Sequence, residues 1–144
     1  MIKKKITLLG GLLALLLLFG GCSLEDDGPN FHFATLEITG ADLPESFVLS
    51  QTYRINFTYL RPDSCTFYDY PDVRKPHGEN TRNVVAIGLV RTDATDCEVL
   101  NVEETASFDF SVIFEEPYLF RFFTGEDENG EPEYLEVTVP VEEP

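Results

Sequence analysis

Thr52-Tyr53-Arg54-Ile55-Asn56-Phe57-Thr58-Tyr59-Leu60 alternates large apolar and polar side chains with a period of two. Successive side chains of a strand point to opposite faces, so Tyr53, Ile55, Phe57 and Tyr59 share one face and Arg54, Asn56 and Thr58 the other. This is the signature of a half-buried strand. The pattern returns in Ser107–Val112, where Phe108, Phe110 and Val112 oppose Asp109 and Ser111, and in Leu135, Val137 and Val139 against Glu136 and Thr138. Asn83–Val90 is apolar almost throughout, which predicts a central strand covered on both faces.

Helical spacing is absent downstream of residue 30, and Pro44, Pro62, Pro71, Pro76, Pro117 and Pro132 punctuate the chain at short intervals. The reading is all-β. Strands are expected near 31–39, 52–60, 65–70, 83–92, 106–113, 118–124 and 134–140. About seven strands is the count of an immunoglobulin-like antiparallel sandwich, with a small closed barrel as the alternative. Residues 31–144 are enough for one domain with a core and too few for two. Gly125–Pro132 contains Asn129-Gly130, a pair suited to the positive φ angles of a hairpin turn. Strand 118–124 carries Tyr118, Phe120 and Phe122 on one face and Leu119 and Phe123 on the other. One face belongs to the core; the other is either covered or a contact patch.

The N-terminus has a different character. Lys3-Lys4-Lys5 precedes an apolar run from Ile6 to Phe19, then Gly20, Gly21 and Cys22. A basic start, a short apolar run and small residues at a cut site form a secretory signal, and the run is shorter than the roughly 20 residues of a spanning helix. Leu18-Phe19-Gly20-Gly21-Cys22 resembles the lipobox of bacterial lipoproteins, with Phe19 where Leu or Val is commoner. The resemblance implies a signal peptide over 1–21, removed on export, and lipidation of Cys22 with three acyl chains, enough for stable attachment. An uncleaved N-terminal anchor is the alternative.

Residues 22–30, Cys22 followed by Ser-Leu-Glu-Asp-Asp-Gly-Pro-Asn, read as a short flexible tether. Its acidic run resembles the signal that sends lipoproteins of Bacteroidota to the outer face of the outer membrane; a periplasmic linker is the alternative. The tail from Tyr118 through Val139 likewise looks like the closing hairpin of small surface lipoproteins of that phylum, a resemblance that brings no activity with it.

Removing residues 1–21, with their three lysines, leaves 7 basic and 26 acidic residues and takes the net charge from −16 to −19. Nucleic acid is thereby an improbable partner, because phosphate binding needs a basic face. An anionic membrane surface would be repelled too, leaving the lipid on Cys22 as the anchor. With Cys22 acylated, Cys65 and Cys97 are a pair in an oxidising compartment, and one disulfide is expected. If consecutive strands alternate in direction, both cysteines, the Asn129-Gly130 turn and the tether gather at one end. Loop 71–82 then lies at the other.

That loop holds three of the seven remaining basic residues, Arg74, Lys75 and Arg82, together with His77, and follows Phe67, Tyr68 and Tyr70. Tyr68, Tyr70, Arg74, Lys75, His77 and Arg82 therefore form a candidate ligand-binding tip for an anionic glycan, lipid head group or protein carboxylate. The plainer alternative is that the cations pair with surface acids and the aromatics belong to the core.

Asp93, Asp96 and Glu98, and again Glu126, Asp127, Glu128 and Asn129, supply hard oxygen ligands without the order of a calcium loop. No metal or other cofactor is expected. His32 and His77 adjoin no nucleophile motif, the Glu103-Glu104 and Glu115-Glu116 doublets would point to opposite strand faces, and no phosphate-cradling glycine loop is present. The expectation is a non-enzymatic, lipid-anchored envelope domain acting as a binding or structural module. The alternatives are a glycan-binding surface lipoprotein and an inhibitor or partner of a secreted enzyme.

Overall fold

The computed structural model describes residues 28, 30–76, 78 and 80–144; the expected signal peptide, Cys22 and its expected lipidation, most of the expected tether and His77 lie outside the described residues. Ten strands and no helix occur among them: β1 (Phe31–Leu36), β2 (Ile38–Asp42), β3 (Phe47–Val48), β4 (Thr52–Asp63), β5 (Thr66–Arg74), β6 (Thr81–Arg91), β7 (Val99–Ser111), β8 (Tyr118–Glu126), β9 (Pro132–Val139) and β10 (Val141–Glu142). The chain is all-β, as its alternation requires. The five-stranded sheet is built on β6, which pairs with β5, with β1 over Ala86–Arg91 and with β8 over Thr81–Val84; β9 extends the sheet from β8. Strands β2, β4 and β7 form the second layer, and β3 and β10 a two-stranded ribbon. The ladders β6–β8 and β3–β10 are parallel; the others are antiparallel.

The period of two in β4 does what it predicts. Ile55, Phe57 and Tyr59 are buried, clustered with Phe110 of the adjacent β7, with Val112 just past its end and with the row Tyr118, Phe120 and Phe122 of β8. Phe47 is fully buried, its ring centroid within 6.0 Å of those of Tyr53, Phe110, Tyr118 and Phe120. Burying a side chain of this size contributes roughly 1.5–3 kcal/mol, so an aromatic core suffices for a sandwich without helices. The Tyr118 hydroxyl accepts hydrogen bonds from the backbone N–H groups of Ile113 (3.1 Å) and Phe114 (3.0 Å), fixing the turn into β8.

The structure departs from the expected strands in several places: β7 starts at Val99, well before residue 106, and the short strands β3 and β10 were not expected. The single strand expected over 31–39 is two. Leu36 pairs in the large sheet and Ile38 in the small one, and the chain crosses between layers at Glu37, whose carbonyl accepts the Leu60 N–H at 2.9 Å. Strand β5 does not stop at Tyr70 but runs on to Arg74, with an extra residue, Asp69, bulged between Tyr68 and Tyr70. Strand β6 is not covered on both faces: Arg82, Val84 and Ala86 are buried, while Asn83, Val85 and Ile87 are half-buried on the outer face. At Gly88 a Cβ would lie 3.0 Å from the Leu36 side chain, so β1 approaches as closely as glycine permits. In the β8–β9 turn only Gly130 takes a positive φ (79°), Asn129 does not, and Gly130 N–H closes the turn on Asp127 C=O at 3.0 Å. This is a turn followed by a left-handed glycine rather than a two-residue hairpin.

Cys65 and Cys97 are disulfide-bonded, with Cα atoms 5.4 Å apart. The bond joins the start of β5 to the segment before β7, beside the Ser64 N–H to Glu98 C=O hydrogen bond (2.9 Å). By the loop-closure model it stabilises the fold by about 3–4 kcal/mol. Thr92 N–H bonds Asn30 C=O at 2.8 Å, so the start of β1 lies at this end, as does the β8–β9 turn, because β8 runs parallel to β6. Arg74 at the end of β5 and Asn80 before β6 lie at the opposite end, where Leu119 N–H bonds Asn80 C=O at 3.0 Å.

Candidate functional site

The bulge at Asp69 decides which residues of β5 can meet a ligand. Before it, Thr66 and Tyr68 face the core; after it, Pro71 and Val73 do, which turns Tyr70, Asp72 and Arg74 outward. Tyr68 stacks on Tyr59 with ring centroids 4.9 Å apart, and burial pushes its phenol above the ordinary value. Its hydroxyl is buried with no hydrogen-bond partner among the described residues. Tyr68 is therefore half-buried on the inner face, packed against the core.

Arg82 is buried as well. Its guanidinium lies 5.5 Å from the Phe110 ring and 5.2 Å from the Tyr118 ring, and it donates to Thr81 C=O at 2.8 Å. Arg74 remains outside, paired with Asp72 at 2.7 Å, and the exposed Lys75 reaches toward Phe114 (5.8 Å). Of the expected tip, then, Tyr70, Arg74 and Lys75 are exposed, Tyr68 is half-buried on the inner face, Arg82 is buried, and His77 is outside the described residues. The cationic cluster is divided by the sheet.

What gathers instead is an aromatic strip on the outer face of β1, β6 and β5. Register places Phe31 beside Arg91, then Phe33, Leu89 and Phe67 in one row, then Thr35, Ile87 and Tyr70 in the next. Beyond these the same face turns polar, with Asp72 beside Val85, Arg74 beside Asn83, and Arg121 of β8 on the other side of Asn83. Phe33 is 56% exposed, Tyr70 47%, Phe67 41% and Phe31 36%. Phe31 and Phe33 meet at 77° and Phe33 and Tyr70 at 72°, so the rings interlock edge to face and do not make one flat platform. Arg61 caps the strip, its guanidinium 4.8 Å from the Phe67 centroid, and also pairs with Glu104 at 3.3 Å.

The second aromatic face of β8 is covered. Phe123 is buried against Tyr134 (6.2 Å), over which Arg121 lies at 4.2 Å while bonding Glu136 at 2.8 Å. Tyr59 donates to Glu104 at 2.6 Å, an interaction that, with Arg61 close by, holds the Glu104 carboxyl below its usual range. Asp93 is engaged by Arg91, and Asp127 accepts the N–H groups of Asn129 and Glu131, so part of both acidic clusters serves local turns. Among the described residues no three His, Cys, Asp or Glu side chains converge as metal ligands. An open groove of about 570 Å³ on the small sheet is lined by Gly40, Asp42, Asn56, Thr58 and Thr105 among others; it contains a single carboxylate and no histidine or cation.

The strip escaped sequence reading because Phe31 and Phe33 fit either face of a strand and the Asp69 bulge leaves no composition signal. The one available signal was the two phenylalanines in β1 flanking a histidine. Compared with known proteins, the chain matches no family model, no curated protein and no solved structure.

Proposed function

We propose that the protein is a non-enzymatic, lipid-anchored binding module of the bacterial cell envelope, held at the outer membrane through Cys22 and probing its surroundings with an apolar sheet face. The observation that carries this reading is the exposed strip Phe31, Phe33, Phe67 and Tyr70. Monomeric soluble domains rarely leave several large aromatics together in water unless they contact something. The lipobox-like Leu18–Cys22 supports the anchor, and the acidic tether supports display on the cell surface. Fractionation of cells producing the wild-type chain and Cys22→Ser tests it. Wild type in the membrane and Cys22→Ser in the soluble fraction is expected; equal membrane retention of both contradicts lipid anchoring.

A second reading, a glycan ligand, is favoured by one specific group. Tyr70 presents an exposed ring with the Asp72–Arg74 ion pair directly after it on the same face, an aromatic next to planar hydrogen-bonding groups. A glycan array on wild type and Tyr70→Ala discriminates: signal lost in the variant supports a sugar, and no signal on any glycan removes this reading.

A further inference from the structure

Taken in rows along the strands, the outer face of β1–β6–β5 is graded. The three rows nearest the disulfide end carry Phe31 and Arg91, then Phe33, Leu89 and Phe67, then Thr35, Ile87 and Tyr70; the rows beyond carry Val85 and Asp72, then Asn83, Arg74 and Arg121. Rows on one face are about 6.6–6.8 Å apart, so the apolar part spans roughly 13 Å from that end. It is also the end from which the chain leads back to Cys22, since Phe31 opens β1 and Asn30 is tied to Thr92. Only the eight residues 23–30 separate the lipid-bearing position from the strip, a reach of at most about 25–30 Å.

We infer that this strip is a membrane-contact surface: Phe31, Phe33, Phe67 and Tyr70 enter the interface of the glycerophospholipid bilayer that holds the lipid on Cys22. The inference rests on the lipid-anchored reading and adds to it a fixed orientation of the domain.

Aromatic side chains favour the interfacial layer of a bilayer, and surface-bound apolar faces sink about 5–10 Å into it, a depth that takes in the first two rows. One cation at this end suits head-group level. Arg61 lies over Phe67, so its long side chain can lie along the aromatic surface with its guanidinium in the polar layer. The interlocked rings present an irregular apolar relief, which acyl chains can fill and which a row of sugar rings cannot stack upon. Asp96, Glu98 and Asp127 at the same end repel anionic head groups, which points to zwitterionic lipid.

The chain contains no tryptophan, so one introduced residue reports alone. Full-length lipidated protein carrying Phe33→Trp, or Ile113→Trp at the opposite end where Ile113 is 59% exposed, is reconstituted into phosphatidylcholine–phosphatidylethanolamine vesicles. The expected result is a blue-shifted Phe33→Trp emission quenched about twofold or more by lipids brominated on the acyl chains, with Ile113→Trp unchanged. Vesicle-bound protein with Phe33→Trp unquenched, or with both positions quenched alike, overturns the inference. A blue shift without bromine quenching also overturns it, since protein, such as a second copy, then covers the ring. If the protein does not sediment with vesicles at all, the anchoring reading itself fails and the orientation falls with it.

Discussion

Phe33 and Tyr70 meet edge to face, ring centroids 6.5 Å apart at 72°, although they come from β1 and β5, which are not bonded to each other. Strand β6 lies between them, and its Leu89 and Ile87 form the floor over which the two rings touch. The contact exists because Asp69 bulges out of β5: without that extra residue Tyr70 would follow Tyr68 into the core.

An exposed ring and a buried ring should behave differently when truncated. Phe33→Ala is expected to cost at most about 1 kcal/mol, the worth of an aromatic edge contact at the surface. Phe120→Ala, at a fully buried position, is expected to cost about 3–5 kcal/mol. Chemical denaturation of the two variants measures both, and a Phe33→Ala loss as large as that of Phe120→Ala would place Phe33 in the core.

The two arginines grouped by sequence should separate in the same way. Arg74 forms an exposed pair with Asp72, so Arg74→Ala is expected to change stability by no more than about 1 kcal/mol. Arg82 fills space between Phe110 and Tyr118, and Arg82→Ala is expected to lose about 2–4 kcal/mol through lost packing and an unfilled interior. Equal melting temperatures for the two variants would contradict the placement of Arg82.

Removing the Tyr68 hydroxyl should be harmless or beneficial. An unpaired buried polar group costs about 1–3 kcal/mol, so Tyr68→Phe, which keeps the stack on Tyr59, is expected to leave stability unchanged or raise it by about 1 kcal/mol. A loss above 1 kcal/mol in urea denaturation would mean that the hydroxyl has a partner.

The Tyr59–Glu104 hydrogen bond should show in the pH dependence of stability. The folded state holds the Glu104 carboxyl below its ordinary value, chiefly through the Tyr59 hydroxyl. The folded state therefore favours the deprotonated form. Its contribution is complete above the unfolded value of about 4.3 and disappears as pH falls through the folded value. The melting temperature of Glu104→Gln should lie below that of wild type above about pH 5, and the gap should narrow in acid. Using the difference between the two proteins removes the general relief of charge repulsion that acid brings to a chain this negative. A gap that stays constant from pH 7 to pH 3 would contradict the assignment.

Much of the fold was legible because alternation is a local property. Tyr53 to Tyr59, Phe108 to Val112 and Leu135 to Val139 give their strands directly, and the cysteine pair follows from setting Cys22 aside. The strand ends that gather the disulfide, the start of β1 and the β8–β9 turn followed from alternating direction alone. Whatever depended on a single inserted or crossing residue was not legible. The layer switch at Glu37 divides one expected strand between two sheets, and the bulge at Asp69 reverses which side chains of β5 face outward; neither residue type announces it. Of the expected tip, Tyr68 and Arg82 turn to the inner face while Tyr70 and Arg74 turn outward, since aromatic and arginine side chains suit either face and only register chooses between them.

The central claim is that this domain is carried on a lipid at Cys22, and the intact mass of the full-length protein purified from its own membranes tests it most directly. The expected species begins at Cys22, lacks residues 1–21 and carries the added mass of acyl chains. An N-terminus at Met1 with no acyl modification would contradict the claim.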